Sequence, residues 1–257
     1  TPGVVWPQLA SEYASLEKPE RLAGAKAVVE AARKARVASV IGVQAATTRE
    51  TVAYAEHAQK LGPDAIIAIP LRDTKDNAAQ REYYKAIGKA SNLPLFVQAI
   101  GDMDVDFLLN LAAEIPTLQY VKDEAGHTLS RLTEFRERDA KKRLKIFTGG
   151  HGKTMLDEMA RGSRGTMPVP SFVDLYVKAW NQWESGNRDA AQATMARASL
   201  LIFQVTSYGL SSVKYILHKR GVFPNWKIRQ QREDHLDREA RESIDRSLDF
   251  VKADLAV

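Results

Sequence analysis

Thr117-Leu118-Gln119-Tyr120-Val121-Lys122-Asp123-Glu124-Ala125-Gly126 reads as a buried strand that runs straight into a lysine. Pro116 and Gly126 punctuate its two ends. A two-residue strand period puts Leu118, Tyr120 and Lys122 on one face, and Gln119 and Val121 on the other. An amine on the inward face of an interior strand loses water from its charged form, and burial then favours the neutral one. A neutral amine is a nucleophile whose natural target is a ketone or aldehyde carbon, giving a Schiff base. The competing reading is a strand-end lysine whose ammonium snorkels to solvent.

Working outward, the chain alternates strand and helix. Strands are expected at residues 3–6, 38–43, 65–69, 93–98, 117–122, 144–148 and 164–167. The helices between them are expected at residues 16–36, from Thr47 or Thr48 to 61, 77–91, 105–115, 128–138 and 153–161. Residues 65–69 are continuously apolar, the mark of a strand covered on both faces. Seven alternating units imply a parallel sheet with helices outside, and a closed (β/α)8 TIM barrel fits best. The count is one short, so the expectation is that the first βα unit of the natural protein precedes Thr1. A doubly wound open sheet is the fallback, but no G-x-G-x-x-G follows a strand. From Ser171 onward strand signals stop. Helices are expected at 172–183, 188–205, 207–219 and 233–253, the last with Leu236, Ala240, Ile244, Leu248 and Val251 on one face. The expected organisation is a barrel over 1–170 and a C-terminal helical region over 171–257 packed on it.

The 257 residues, 44% of them hydrophobic, suffice for one barrel-sized core. With no cysteine, disulfides, thiolate catalysis and cysteine-ligated metals are excluded. No apolar run is long enough to span a bilayer, so no membrane partner is expected and a cytoplasmic location is the default. The formal charge of +5 suits an anionic substrate such as a carboxylate. The basic stretches at 141–143 and 218–232 lack the aromatic and glycine pattern of an RNA-binding sheet and read as solvated surface, so no nucleic-acid partner is expected. His57, His127, His151, His218 and His235 show no metal-ligand spacing, so no metal and no cofactor is expected. Gly152-Lys153-Thr154 resembles the end of a phosphate-binding loop, but Phe147 stands where its first glycine must be.

In such a barrel the chemistry lies at the C-terminal ends of the strands. Lys122 is the lysine that falls at such an end, which favours the nucleophile reading. Gln98, after Phe96-Val97, either binds a substrate carbonyl or hydroxyl or satisfies barrel backbone. Ser11 is a carboxylate donor or a turn residue. Glu12 is a site carboxylate or a structural group stabilised near helix N-termini. Gly149 and Gly150 leave backbone N–H groups for a substrate carboxylate or phosphate at the next helix start. His151 either moves protons near neutral pH or only enters the helix. Thr166 ends the last strand and joins the substrate-binding candidates.

The element order, the strand-borne lysine, the Glu12 loop leading to Leu16 and the closing helices resemble the dihydrodipicolinate synthase / N-acetylneuraminate lyase superfamily over nearly the whole chain. Tyr120-Val121-Lys122-Asp123-Glu124-Ala125 is similar to its Schiff-base lysine motif, and Gly165-Thr166-Met167-Pro168 to its eighth strand. The departures are as informative. Gln98 stands where the best-known members carry a proton-shuttling tyrosine, and Leu9-Ala10 replace a hydroxyl pair. Met103 aligns with the usual arginine, and Leu71 with an aromatic. Val97-Gln98, Ser11-Glu12 and Gly165-Thr166-Met167 resemble instead the 2-keto-3-deoxy sugar-acid dehydratases of the same superfamily, although Ala99 follows the glutamine where that branch has an acid.

The resemblance implies a Schiff-base lyase on a 2-oxo acid. Lys122 attacks the C2 ketone, and the protonated imine withdraws electrons from C3. That serves either loss of a C3 proton and a C4 hydroxyl, as in a sugar-acid dehydratase, or C3–C4 cleavage, as in a pyruvate aldolase. The base is unassigned among a bound water, Glu12 and His151. The alternative is a non-catalytic binder of a small acid in the same family. A homodimer or homotetramer is expected from the resemblance and from the surplus amphipathic helices.

Overall fold

The computed structural model describes residues 1–72, 74, 76–229 and 236–256. Six strands form one parallel sheet in sequential order: β1 (Gly3–Trp6), β2 (Ala38–Gly42), β3 (Ala65–Ala68), β4 (Leu95–Ala99), β5 (Leu118–Asp123) and β6 (Lys145–Thr148). Helices follow the strands: α1 (Lys18–Ala35), α2 (Thr48–Leu61), α3 (Asn77–Ala90), α4 (Val105–Glu114), α5 (Thr128–Arg138) and α6 (Met155–Ala160). Sequential parallel order is the order of a β/α barrel. The chain divides into two compact units, one of Pro2–Gly149 with Asp157–Met167, the other of Thr1, Gly150–Leu156 and Pro168–Val257.

In the first unit the helices start where local chemistry dictates. Thr47 caps α2 by accepting from the Glu50 N–H, and Asp104 caps α4 by accepting from the Phe107 N–H at 2.7 Å. Their apolar stripes pack on one sheet face, where Val29, Ile41, Ala55, Ile66, Leu111 and Val121 share a core. The opposite, inner face carries a smaller cluster of Val40, Ala65, Ile67 and Phe96, joined by Val5, Tyr120, Phe147 and Met167. The Phe96 and Tyr120 rings stack there with centroids 4.3 Å apart.

Three expectations are corrected. Leu118 does not share a face with Tyr120. The β4–β5 register jumps, pairing Leu95 with Leu118 but Phe96 with Tyr120, so exposed Gln119 is an extra residue. The bulge sends Leu118 into the helix-side core with Val121, while Tyr120 and Lys122 keep the inner face. The strand expected at 164–167 is reduced to a single bridge, Thr148 with Thr166. Its backbone bonds, Arg164 N–H to Ile146 and Met167 N–H to Thr148, run along β6, and Pro168 offers no N–H to continue them. The helix expected from 153 starts at Met155, after a 3₁₀ turn at Gly150–Gly152.

In the second unit, α7 (Val173–Glu184), α8 (Arg188–Tyr208), α9 (Leu210–Lys219) and α10 (Arg238–Val251) follow one another. α10 buries Ala240, Ile244, Leu248 and Val251; the Glu233 start expected for it lies outside the described residues. Among the described residues no helix is long and apolar enough to cross a membrane.

Candidate active site

β5 delivers Lys122 to the inner face at the C-terminal end of the sheet, where it is 9% exposed. Its neighbour in register on β4 is Gln98, fully buried, and on β6 Phe147. Lys122 Nζ lies 3.1 Å from Glu124 Oε2. The same carboxylate oxygen accepts from Gln98 Nε2 at 2.5 Å. One acid thus joins the candidate nucleophile to the candidate substrate-binding glutamine. The amine is therefore not simply desolvated; it has a counter-charge within hydrogen-bond reach.

Glu124 has room because β6 runs out into Gly149. A Cβ placed on Gly149 would lie 1.9 Å from Glu124 Oε1 and 2.8 Å from its Cγ. Gly149 thus gives up its side-chain space to the carboxylate, a role apart from the backbone donor expected of it. On the far face of β5, Arg131 holds Asp123 through two 2.9 Å bonds, Nε to Oδ2 and Nη2 to Oδ1. Burial pushes the Asp123 carboxyl above its usual range, and the Arg131 bonds act against that push. This pair ties the lysine-bearing strand end to α5. Behind β6, Thr148 donates to buried Glu158 at 2.6 Å.

The loop after β1 holds the other acidic candidate. Glu12 is 3% exposed and takes a left-handed φ of 52° between two 3₁₀ turns, Leu9–Ser11 and Tyr13–Ser15. It is not the cap of α1, whose N-cap position is Glu17. Ser11 is half-buried, and its N–H closes the first turn onto the Gln8 carbonyl at 2.9 Å. Thr166 is half-buried, and its Oγ1 has no hydrogen-bond partner among the described residues. Gly150 and His151 belong to the second unit, where the Tyr176 hydroxyl donates to the His151 carbonyl at 2.5 Å. Burial pushes the Tyr176 hydroxyl well above its ordinary pKa.

Lys122, Gln98 and Gly149 are therefore brought together, with Glu124 as their common partner. The sequence places Glu124 in the lysine motif without a role of its own. Its signal was its place two residues after Lys122, which continues the inward face past the strand end.

The model of the dihydrodipicolinate synthetase family matches residues 8–248, and the chain belongs to that family. It is 32% identical over 171 residues to a 4-hydroxy-tetrahydrodipicolinate synthase of Chelativorans sp. (strain BNC1), covering 64% of this chain and 57% of the relative. It is 29% identical over 164 residues to an uncharacterised DapA-like lyase of Halobacterium salinarum, covering 60% and 52%. The chain thus spans a little over half the length of these curated relatives. Among solved structures, the 4-hydroxy-tetrahydrodipicolinate synthase of Methylacidiphilum fumariolicum SolV superposes with a TM-score of 0.89 at 20% identity, over 99% of this chain and 86% of that one. YagE of E. coli K12, a prophage protein determined in complex with pyruvate, superposes with a TM-score of 0.88 at 17% identity, over 98% and 87%. The described residues share the parallel α/β fold of these barrels, with a sheet of six strands.

Proposed function

We propose that this protein is a Schiff-base lyase for a 2-oxo acid, with Lys122 as nucleophile and Glu124 as the acid–base group. One observation carries the reading: Glu124 Oε2 lies 3.1 Å from the Lys122 amine and 2.5 Å from the Gln98 amide on the inner face. Glu124 takes the ammonium proton, and the freed amine adds to the C2 ketone. Glu124 returns that proton to the carbinolamine hydroxyl, which leaves as water, so that an iminium forms and Glu124 is again a carboxylate. In the dehydratase course, the C3–H bond breaks and its proton goes to Glu124, while the electron pair forms an enamine. The pair then expels the C4 hydroxyl, which leaves as water with the Glu124 proton. Hydrolysis of the remaining iminium frees the product and Lys122.

We favour dehydration of a 2-keto-3-deoxy sugar acid over aldol cleavage, because Gln98 supplies an amide in place of a proton-shuttling tyrosine. Ser11, Glu12 and Thr166 remain the proposed substrate contacts. Residues 171–257 are read as the helical region appended to a 1–170 barrel, in a homodimer or homotetramer. The Lys122–Glu124 ion pair also fits a non-catalytic acid binder, in which it is structural.

Borohydride decides between the two. Added with pyruvate, it should reduce the imine and raise the mass of the peptide containing Lys122. Lys122→Ala and Lys122→Arg should lose the adduct and all turnover. Glu124→Gln should form the pyruvate adduct more slowly yet still reach it, and lose turnover of 2-keto-3-deoxy acids by a factor on the order of 10² or more. Failure of every 2-oxo acid to label Lys122 would overturn the lyase reading.

A further inference from the structure

Two glutamine amides lie over the inner face at the end of β2, away from the lysine. Gln44 follows Gly42 and Val40 on the inward period, and Val40 belongs to the inner cluster. A Cβ placed on Gly42 would point into that face and would lie 2.9 Å from Gln8 Nε2 and 3.1 Å from Gln44 Nε2. Both amides therefore cover Gly42 from the inside. The register puts Gln44 level with the site. Gly42 pairs with Ile67, Ile67 with Phe96, and Phe96 with Tyr120. Two residues further along each strand stand Gln44, Gln98 and Lys122, one layer of the same face.

The orientation of these amides is fixed by their partners. Gln44 Nε2 donates to the Pro7 carbonyl at 2.9 Å, which turns Gln44 Oε1 toward Gln8. Gln8 must then present its nitrogen, and Gln8 Nε2 donates to Gln44 Oε1 at 3.2 Å. Gln8 Oε1 is left as a buried acceptor with no partner among the described residues, on a side chain only 8% exposed. Gln98 is fixed likewise, since a carboxylate can only accept; its Oε1 is a second such acceptor. Leaving a buried amide oxygen unpaired is costly, so a ligand that supplies a donor gains there. Arg21 does not fill the need: its guanidinium donates to the Gln44 and Gly42 carbonyls at 2.7 and 3.0 Å and stacks on Tyr54.

We propose that Gln8, held by Gln44, is a specificity-determining acceptor for a hydroxyl at the far end of the substrate chain. This rests on the 2-oxo-acid reading and narrows it to substrates whose distal end is uncharged and hydroxylated. An anionic tail would face an amide oxygen and be refused.

The test compares the protein with Gln8→Met, which keeps volume and removes the acceptor. The half-saturating concentration for borohydride labelling of Lys122 is measured with pyruvate, 2-oxopentanoate and a 2-keto-3-deoxypentonate. Gln8→Met should raise that concentration about tenfold for the hydroxylated acid and change the other two less than twofold. An equal loss with all three acids would make Gln8 structural, and no loss with the hydroxylated acid would remove it from the site; either overturns the proposal. If no acid labels Lys122, the imine reading fails by itself. Calorimetric titration of the hydroxylated acid into Lys122→Ala, with and without Gln8→Met, then decides the role of Gln8. A roughly tenfold weakening upholds it and an unchanged affinity refutes it.

Discussion

At the scale of single residues, the candidate site is a matter of who makes room for whom. Gly149 has an ordinary φ, so alanine is permitted by its backbone. The added methyl would nonetheless collide with the Glu124 side chain from Cγ outward. Gly149→Ala should therefore displace the carboxylate and lower turnover on the order of a hundredfold, while pyruvate trapping on Lys122 persists. In a Glu124→Ala background the same change should cost less than twofold, because no carboxylate remains to be moved. Equal losses in the two backgrounds would show that Gly149 acts in some other way.

At the scale of elements, the bulge in β5 decides which side chains meet. Without the extra residue at Gln119, the period from Leu118 would run unbroken to Lys122, and Leu118 would join Tyr120 in the inner cluster. In the second unit, Asp254 links elements by charge. It accepts from Lys178 of α7 at 2.6 Å and from Arg197 of α8 at 2.7 Å. The Lys178 bond first, and Arg197 with it, hold the Asp254 carboxyl below the usual carboxylate range against the opposing effect of burial. A depressed carboxylate contributes stability in full above its unfolded-state pKa, about 4, and loses it as pH falls through the folded value. Asp254→Asn should lower Tm at pH 7 by about 2 °C, a modest effect because both partners are partly exposed. The gap to the parent protein should narrow as pH falls below the unfolded value and close as it passes through the lower folded one. Thermal scans from pH 2 to 7 check this, and a gap that persists at the acid end counts against the ion-pair account.

At the scale of the whole molecule, the second unit leaves apolar surface in water. Phe203 is 66% exposed on α8, beside Leu200, and Phe250 is exposed on α10 with Arg197 over its ring at 4.6 Å. The proposed homo-oligomer gives that surface a partner. Phe203→Glu should shift the light-scattering mass toward a smaller species without changing the far-UV circular dichroism. A parent protein that is monomeric at every workable concentration would remove the proposal.

The sequence by itself determined the order of strands and helices, because that information is local. Amphipathic helices, apolar parallel strands and caps such as Thr47 show within a dozen residues. It also singled out Lys122, since inward period and strand end coincide there. The tertiary structure decided what depends on pairing. The bulge at Gln119 exists only against β4, so no period within β5 could reveal that Leu118 changes sides. The segment 164–167 has a strand's composition, yet one bridge to Thr148 is all its neighbour and Pro168 allow. Glu124 meets Gln98 because the β4–β5 register sets Gln98 beside Lys122, and it fits because β6 offers a glycine across from it. Gln98 lies on β4, Glu124 just past the end of β5 and Gly149 just past the end of β6, and only the alignment of those strands in space brings them together.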